Sequence, residues 1–234
     1  IFPGAKALAI TQDRSREKEF VAALGLMTAP FAVVTTGEHL RAAFARIGPP
    51  AILKTSRLGY DGKGQRWIER VEDAQAAWES LGGVALLLEQ GVDFIAEASV
   101  IVARGGDGSC VSLPLFRNTH RGGILYQTFA PAGFSQATED AAREMAEHIA
   151  EAIAAVGLLT IEMFVRRDGR VWANELAARP HNSGHLSLRA CTRSQFELHI
   201  QAICGLPLEP VQMLLPAVMT NLLGDLWQAG APDW

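Results

Sequence analysis

The chain has 234 residues, enough for one large domain or two small ones, and its 49% apolar and 20% charged residues are typical of a folded globular protein. Its formal net charge is −4 and it has no basic block, which excludes the electrostatic pattern of a nucleic-acid-binding protein. No uncharged apolar stretch approaches about 18 residues and no signal-peptide pattern is present, so neither a membrane span nor secretion is predicted. Three widely spaced cysteines fit reduced thiols in a cytoplasmic protein.

Short apolar strands alternate with helices in the first part of the chain. The charged segment 12–24, which is followed by Gly25, predicts a helix, and the strand predicted at 51–55 leads into a glycine-rich loop. This alternation indicates a small α/β subdomain, which we expect at 30–91, after an entry helix region at 1–29. The other elements predicted here are strands at 30–35, 65–70 and 84–89 and helices at 38–46 and 73–81.

The pattern changes after residue 92, where consecutive strands predict an antiparallel meander. A long helix is predicted at 138–156, because its apolar residues recur with helical spacing, and a second helix is predicted near 187–204. These elements indicate an α+β fold with a larger subdomain at 92–208. The meander strands are predicted at 94–104, 110–116 and 123–130.

Two glutamates face each other in a predicted hairpin. Strands at 159–165 and 171–176 are joined by a segment containing Asp168-Gly169, a signal for a two-residue turn. If these two residues form the turn, the register places Glu162 opposite Glu175, with Cβ atoms about 4.5–5.5 Å apart. Such a carboxylate pair suits Mg²⁺. The alternative is two solvated glutamates, which the apolar run around Glu162 disfavours.

A lysine and a glycine-rich loop lie close together in the sequence. Lys54 is near the end of an apolar strand, and the loop that follows reads Gly59-Tyr60-Asp61-Gly62-Lys63-Gly64-Gln65. Its glycines let backbone N–H groups approach an anion closely, and the lysines add positive charge. The loop fits neither a Walker A nor a dinucleotide-binding motif. It therefore predicts a phosphate-binding segment, with a mobile connector as the alternative.

A cluster of polar, glycine and proline residues follows the second strand of the hairpin. It reads Asn174-Glu175-Leu176-Ala177-Ala178-Arg179-Pro180-His181-Asn182-Ser183-Gly184-His185. Arg179 offers a planar fork to a phosphate or carboxylate, and His181 or His185 can exchange protons near neutral pH. The alternative is a polar surface loop that caps the next helix.

Four further side chains are weaker candidates. Glu89, at the end of a strand, and Glu97, on an apolar strand, can accept hydrogen bonds from the amino and ribose groups of a nucleotide, although edge-strand charges are a common alternative. Nothing in the local sequence distinguishes His120 or Arg14 from surface residues. No Ser/His/Asp or Cys/His arrangement indicates nucleophilic catalysis.

Together these features resemble the ATP-grasp superfamily and, within it, the N5-carboxyaminoimidazole ribonucleotide synthase family. The resemblance extends almost end to end, from residue 13 to residue 224. The motifs that carry it are Leu53-Lys54-Thr55, the loop from Gly59 to Gln65, Glu89-Gln90-Gly91-Val92-Asp93-Phe94, Arg179-Pro180-His181-Asn182-Ser183-Gly184-His185 and Ser194-Gln195-Phe196-Glu197-Leu198-His199.

The resemblance implies an ATP-grasp fold with a small lid subdomain, and an enzyme that joins bicarbonate to the amine of 5-aminoimidazole ribonucleotide through carboxyphosphate, with hydrolysis of ATP, in purine biosynthesis. It implies ATP and Mg²⁺ as cofactors, with Glu162 and Glu175 as metal ligands and Arg179, His181 and Lys54 as catalytic residues. A cytoplasmic homodimer that acts on small molecules, without nucleic-acid or membrane partners, is expected. The implied nucleotide-binding residues are Arg14, Lys54, Gly59, Tyr60, Asp61, Gly62, Lys63, Gly64, Gln65, Glu89, Gln90, Gly91, Val92, Glu97, His120, Asn174 and Glu175.

The chain departs from the family pattern at a few positions. Ala177 stands where many ATP-grasp enzymes have an Asn metal ligand, Ala178 replaces a common Pro, and Leu58 replaces a common Gly. Family members also carry an additional α/β domain and a small β-rich one, and the resemblance implies that 209–234 is the start of this C-terminal β-rich domain. Both additional domains contribute to the ribonucleotide site, so we expect a competent nucleotide site and an incomplete acceptor site here. Two alternatives stay open: another ATP-grasp ligase with a different acceptor, and a nucleotide-binding module without turnover.

Overall fold

The structure is a computed structural model that describes residues 1–57, 64–228 and 230–231. The predictions for Gly59, Tyr60, Asp61, Gly62 and Lys63 lie outside the described residues. Within the described ranges, no helix is both long and apolar enough to cross a membrane. The architecture is α+β, as predicted, with two antiparallel sheets and the helices that pack on them.

The secondary structure divides between the two sheets in chain order. The helices are α1 (Ala5–Thr11), α2 (Arg14–Ala23), α3 (Gly37–Ile47), α4 (Ala74–Ser80), α5 (Gln136–Ile153), α6 (Ser187–Ala190) and α7 (Gln195–Cys204). The strands are β1 (Phe31–Val34), β2 (Ala51–Thr55), β3 (Gln65–Ile68), β4 (Leu86–Gln90), β5 (Ala96–Arg104), β6 (Cys110–Ser112), β7 (Phe116–Arg121), β8 (Ile124–Ala130), β9 (Gly157–Val165), β10 (Val171–Ala177) and β11 (Ala217–Thr220).

The smaller sheet has four strands in the order β1-β4-β2-β3. Helices α3 and α4 pack on one face of it, where Leu40, Leu53 and Leu88 share a core. Because side chains alternate along a strand, Leu53 enters this core while Ile52 and Lys54 lie on the opposite face. The lysine predicted to bind phosphate therefore lies on the face that α3 and α4 do not cover.

The larger sheet has the strand order β10-β9-β5-β7-β8-β11, and β6 pairs with β5 in addition. Helix α5 covers one face, where Val100 and Val102 of β5 pack in one core with Ile149. Glu97 and Ser99, which alternate with these valines, lie on the opposite face. β11 lies in the segment predicted to begin another domain, and it pairs with β8 in this sheet. The division of the chain into domains stays a prediction.

The helix predicted at 12–24 begins two residues later, at Arg14. Oδ1 of Asp13 accepts the backbone N–H groups of Ser15 and Arg16 at 3.1 and 3.3 Å, which is the geometry of an N-cap. The residues before this cap form the separate helix α1. An acidic residue at the start of a charged segment is therefore a cap here and not part of the helix.

The prediction of one continuous strand at 110–116 is wrong, because this segment contains β6 and the first residue of β7. β6 ends at Ser112, and β7 begins at Phe116 and pairs with both β5 and β8. Apart from Phe116, β7 consists of polar residues, so it lacks the apolar pattern that marked the neighbouring strands. Its position in the interior of the sheet is set by tertiary pairing.

The predicted hairpin is present, but its turn is one residue longer than expected. The N–H of Arg166 donates to the carbonyl of Arg170, so the loop has three residues and ends at Gly169, whose φ is +81°. The register beside the turn therefore differs by one from the prediction. A bulge at Asn174 restores the predicted register, so that Glu162 pairs with Glu175 as predicted.

Candidate active site

A cavity of about 620 Å³ has walls from both sheets and gathers most of the predicted site residues. Two described candidates, Gly64 and His185, do not line the cavity. The carbonyl of Gly64 accepts the N–H of Thr55 at 2.8 Å. The predicted residues that do line it are Arg14, Lys54, Gln65, Glu89, Gln90, Gly91, Val92, Glu97, His120, Glu162, Asn174, Glu175, Arg179 and His181.

Apolar and aromatic side chains line part of this cavity. Ile52 and Trp67 come from the smaller sheet, Phe164 comes from β9 of the larger sheet, and Phe94 comes from the segment before β5. The rings of Phe94 and Phe164 are stacked, with centroids 4.6 Å apart. Trp67 is 61% exposed, which is unusual for a tryptophan. A planar apolar ligand such as a nucleobase fits between walls of this kind.

A buried ion cluster lies at the end of the cavity beside the smaller sheet. Oε2 of Glu89 is 3.2 Å from Nζ of Lys54 and 3.6 Å from Nζ of Lys18. Lys18 also donates to Oγ1 of Thr28 at 2.9 Å. Lys18 was not predicted as a site residue, because a lysine in a charged helix suggests a solvated face, whereas here it is 2% exposed.

The charges in this cluster shift the pKa values of its members in different directions. Burial alone would raise the pKa of Glu89, but Lys54 and Lys18 outweigh it and leave the pKa below its ordinary value. Burial would lower the pKa of Lys54, but Glu89 and Glu175 outweigh it and raise the pKa. For Lys18 burial prevails, and its pKa is lowered.

Glu97 and His120 form a pair on neighbouring strands of the larger sheet. Nδ1 of His120 hydrogen-bonds to Oε2 of Glu97, and both residues line the cavity. Burial tends to lower the pKa of His120, but the hydrogen bond and charge of Glu97 outweigh it, so the pKa is raised. His120, which no local sequence pattern distinguished, is thus brought beside a predicted site residue.

The two predicted metal ligands lie side by side on β9 and β10. Oε1 of Glu162 is 2.9 Å from Nε2 of His181, and Oε1 of Glu175 is 3.5 Å from Nε of Arg14. Burial alone would raise the pKa of Glu162, but the His181 hydrogen bond and the nearby positive groups leave it lowered. A lowered pKa keeps this carboxylate ionised, as a metal ligand must be.

The donor set around this pair fits a hard cation that also binds phosphate oxygens. Among the described residues, no cluster of three or more His, Cys, Asp or Glu side chains is arranged to hold a metal by itself. The Oε2 atoms of Glu162 and Glu175 receive no hydrogen bond from a described residue, and Oδ1 of the bulged Asn174 is buried without a partner among them. Mg²⁺ commonly takes one or two carboxylates and completes its shell with water and phosphate.

The segment that carries Arg179 and His181 is held in place by one buried side chain. Gln195, at the start of α7, accepts the N–H of His181 and donates to its carbonyl, both at 2.8 Å. The same amide contacts Nδ1 of His185 at 2.9 Å. His185 stacks on Phe196 and lines neither this cavity nor its neighbour, so the structure separates the two histidines of the motif.

A second cavity of about 380 Å³ lies on the other side of the carboxylate pair. Its walls include Glu17, which is buried and accepts the N–H of Leu176 at 2.8 Å. Burial and the charge of Glu175 raise the pKa of Glu17 well above its ordinary value. Sequence reasoning did not single out Glu17. The residues that line both cavities are Arg14, Glu162, Glu175, Arg179 and His181.

Comparison with known proteins identifies a family match and close relatives. An ATP-grasp domain model matches residues 19–196. Among curated proteins, the chain is 42% identical over 222 residues to N5-carboxyaminoimidazole ribonucleotide synthase from Bacillus subtilis strain 168. The matched region covers 95% of this chain and 58% of that protein.

Solved structures are similar in both fold and sequence. One is the ADP complex of purK, N5-carboxyaminoimidazole ribonucleotide synthetase, with a TM-score of 0.91 and 40% identity over 95% of this chain and 59% of that one. Another is N5-carboxyaminoimidazole synthase from Aspergillus clavatus in complex with ADP and 5-aminoimidazole ribonucleotide. Its TM-score is 0.88, and the two chains are 28% identical over 96% of this chain and 60% of that one. The chain spans about three fifths of the length of these proteins.

Proposed function

The chain belongs to the ATP-grasp family, and from this premise we propose that it carries out the ATP- and bicarbonate-dependent carboxylation of 5-aminoimidazole ribonucleotide to N5-carboxyaminoimidazole ribonucleotide, a step of purine biosynthesis. The observation that carries the proposal is the position of Glu162, Glu175 and Arg179, which line both cavities. A phosphate donor in one cavity and an acceptor in the other would meet at these side chains. The similar structures with bound ADP and ribonucleotide support this assignment of ligands.

In the proposal, the larger cavity holds the nucleotide. The apolar walls at Trp67 and Phe94 flank the base, with the backbone of residues 89–92 along its edge, and Glu97 accepts the ribose hydroxyls. Lys54 and Arg14 supply positive charge where the phosphates lie. Gln65 pairs with Lys54 across β2 and β3 and lines the same cavity, and phosphate binding by the preceding glycine-rich segment stays a prediction.

Glu162 and Glu175 are the proposed ligands of Mg²⁺. When bound, the ion would be held by these two carboxylates and would neutralise the charge of the phosphates. Nε2 of His181 lies 2.9 Å from Oε1 of Glu162, and Nε of Arg14 lies 3.5 Å from Oε1 of Glu175. These contacts orient the two carboxylates, so that their other oxygens are available to the cation.

The proposed chemistry has two steps. An oxygen of bicarbonate attacks the γ-phosphorus, the bond to the β-phosphate oxygen breaks, and ADP leaves as carboxyphosphate forms. The ribonucleotide amine then attacks the carbonyl carbon, phosphate leaves, and the amine loses a proton. The guanidinium of Arg179 stabilises the negative charge that builds on the transferring group, because it lies in the wall shared by both cavities.

The test is ADP release with Mg-ATP and bicarbonate, in the presence and absence of 5-aminoimidazole ribonucleotide. The proposal predicts stimulation by the ribonucleotide. Nucleotide binding without stimulation would contradict it and favour a nucleotide-binding module without turnover. Stimulation by formate and a different acceptor would instead indicate another ATP-grasp ligase. A homodimer in the cytoplasm is the matching proposal for assembly and location.

A further inference from the structure

A row of buried polar side chains crosses the larger sheet and ends at His181. Thr128, Asn118 and Ser99 lie on β8, β7 and β5, and with Ser183 they are at most 4% exposed. Each contacts the next one in the row. The distances are 3.0 Å from Thr128 Oγ1 to Asn118 Oδ1, 3.0 Å from Asn118 Nδ2 to Ser99 Oγ, 2.8 Å from Ser99 Oγ to Ser183 Oγ, and 2.9 Å from Ser183 Oγ to His181 Nδ1.

A single backbone group sets the direction of the whole row. The N–H of Ser183 lies 3.3 Å from Nδ1 of His181, and because a backbone N–H can only donate, Nδ1 must accept. The hydroxyl of Ser183 therefore donates to Nδ1 as well. This hydroxyl has one proton, so the contact with Ser99 has Ser99 as its donor.

The same reasoning extends to the other end of the row. Ser99 has used its only proton, so Asn118 must present its Nδ2 group to Ser99. Oδ1 of Asn118 then accepts the hydroxyl proton of Thr128. Every donor in the row points toward His181. With Nδ1 accepting, a neutral His181 ring carries its proton on Nε2, the atom that lies 2.9 Å from Glu162.

We infer that Thr128, Asn118, Ser99 and Ser183 form a one-way hydrogen-bond relay that fixes the tautomer of His181, so that the neutral ring carries its proton on Nε2, the nitrogen that lies 2.9 Å from Glu162. These four are positioning residues, since they act through His181 and Glu162. Ser99 also pairs directly with Glu162 in the β5–β9 register, so the relay and the carboxylate that it orients are built on the same strands.

The tautomer itself does not depend on the reaction, but its effect on turnover rests on the proposed function. Without the relay, a neutral His181 ring can carry its proton on Nδ1, and Nε2 then faces Glu162 as a second acceptor. Glu162 would lose its donor and turn away from its working position. Substitution of groups that orient metal ligands costs about 10- to 100-fold in metal affinity or activity.

The primary experiment is ring-nitrogen NMR of the full chain labelled with ¹⁵N-histidine, at about pH 8, where unperturbed imidazoles are neutral. The chain has six histidines, and a His181→Gln variant assigns the resonance. We expect His181 to show a non-protonated Nδ1 and a protonated Nε2. A protonated Nδ1 in the unsubstituted chain would overturn the proposal, whether or not the protein has any activity.

The variants Ser183→Ala and Ser99→Ala break the relay at two successive points. We expect both to mix the His181 tautomers and to lower kcat about 10-fold or more with little change in KM for ATP, and Ser183→Ala to have the larger effect. The matched control is Thr160→Val, which removes a buried hydroxyl without a hydrogen-bond partner among the described residues, two positions from Glu162 on β9.

Two outcomes with these variants would overturn the inference. One is an unchanged His181 tautomer in both alanine variants. The other is an equal change of tautomer in the Thr160→Val control, which would indicate a general effect of losing buried hydroxyls. If the unsubstituted chain has the expected tautomer but no carboxylation activity, the relay stands and the proposed function fails, so the two are separable.

Discussion

Glu162 and Glu175 pair directly across β9 and β10, and each engages a different partner through its Oε1 atom. Two carboxylates in this position repel each other unless a positive charge or a hydrogen-bond donor offsets the repulsion. His181 and Arg14 provide part of this compensation from opposite sides. The pair also forms the boundary between two cavities, so any cation that it holds has access to both.

Substitution of one member of this pair separates its chemical role from its structural role. We expect Glu175→Gln to lower Mg-dependent ADP formation at least about 100-fold, because an amide is a poor ligand for Mg²⁺ in place of a carboxylate. The fold should be retained, since Glu175 is half-exposed. Steady-state ADP release and circular dichroism measure the two effects.

The matched control is Glu144→Gln, on the exposed side of α5. It makes the same chemical change away from both cavities, and we expect normal ADP formation. Full activity in Glu175→Gln would contradict the metal role of this residue.

The buried cluster at Glu89 predicts an order of stabilities. Glu89→Gln removes the carboxylate that contacts both buried ammonium groups, those of Lys18 and Lys54, which should lower the free energy of unfolding by about 3–5 kcal/mol. Lys18→Met leaves Glu89 paired with Lys54 and should cost only about 1–2 kcal/mol. Urea denaturation compares them, with Lys6→Met on the surface as the control. A larger loss in Lys18→Met than in Glu89→Gln would refute this account of the cluster.

The raised pKa of Glu17 predicts a pH effect on stability. Burial and Glu175 favour the protonated form of Glu17 in the folded state, so its contribution is fully present below its unfolded pKa and is lost as pH rises through its folded pKa. Glu17→Gln mimics the protonated form and should remove this loss. Denaturation midpoints measured between acid and alkaline pH should therefore fall less steeply with rising pH in the variant. Parallel pH profiles for the two proteins would show that Glu17 is not responsible.

The close packing around Gly184 predicts sensitivity to a single methyl group. A Cβ at this position would clash with the side chain of Ile101 and lie 2.7 Å from the carboxamide of Gln195, which holds His181. Gly184→Ala should therefore cost about 1–3 kcal/mol of stability and reduce turnover. Gly106→Ala, where a Cβ meets nothing within 4 Å, should change stability by less than about 0.5 kcal/mol. Similar melting temperatures for both variants would contradict the steric argument.

Sequence reasoning located the facing glutamates, although its register was wrong beside the turn. A two-residue turn and an unbroken ladder were assumed, whereas a longer loop and the bulge at Asn174 offset each other. A bulge has no reliable signature in a single sequence, because it is set by the partners on both edges of the strand. Here Thr28 bridges to Ala173 on the far edge of β10.

The residues that sequence reasoning missed owe their roles to tertiary burial. Lys18 looks solvated in a charged helix, but the fold buries it beside Thr28 and Glu89. Ser99 and Asn118 are single polar residues in strands, and their connection to His181 depends on the order of strands in the sheet. Strand order cannot be deduced from local periodicity, so this part of the site was not predictable.

In the proposed function, bicarbonate is activated by the γ-phosphate at the side chains that line both cavities. The most direct measurement is the fate of oxygen-18 from labelled bicarbonate, analysed by mass spectrometry of the phosphate formed with Mg-ATP and 5-aminoimidazole ribonucleotide. We predict one labelled oxygen in each phosphate, because the bicarbonate oxygen that attacks phosphorus stays on it. Phosphate that carries only oxygen from ATP and water would contradict the claim.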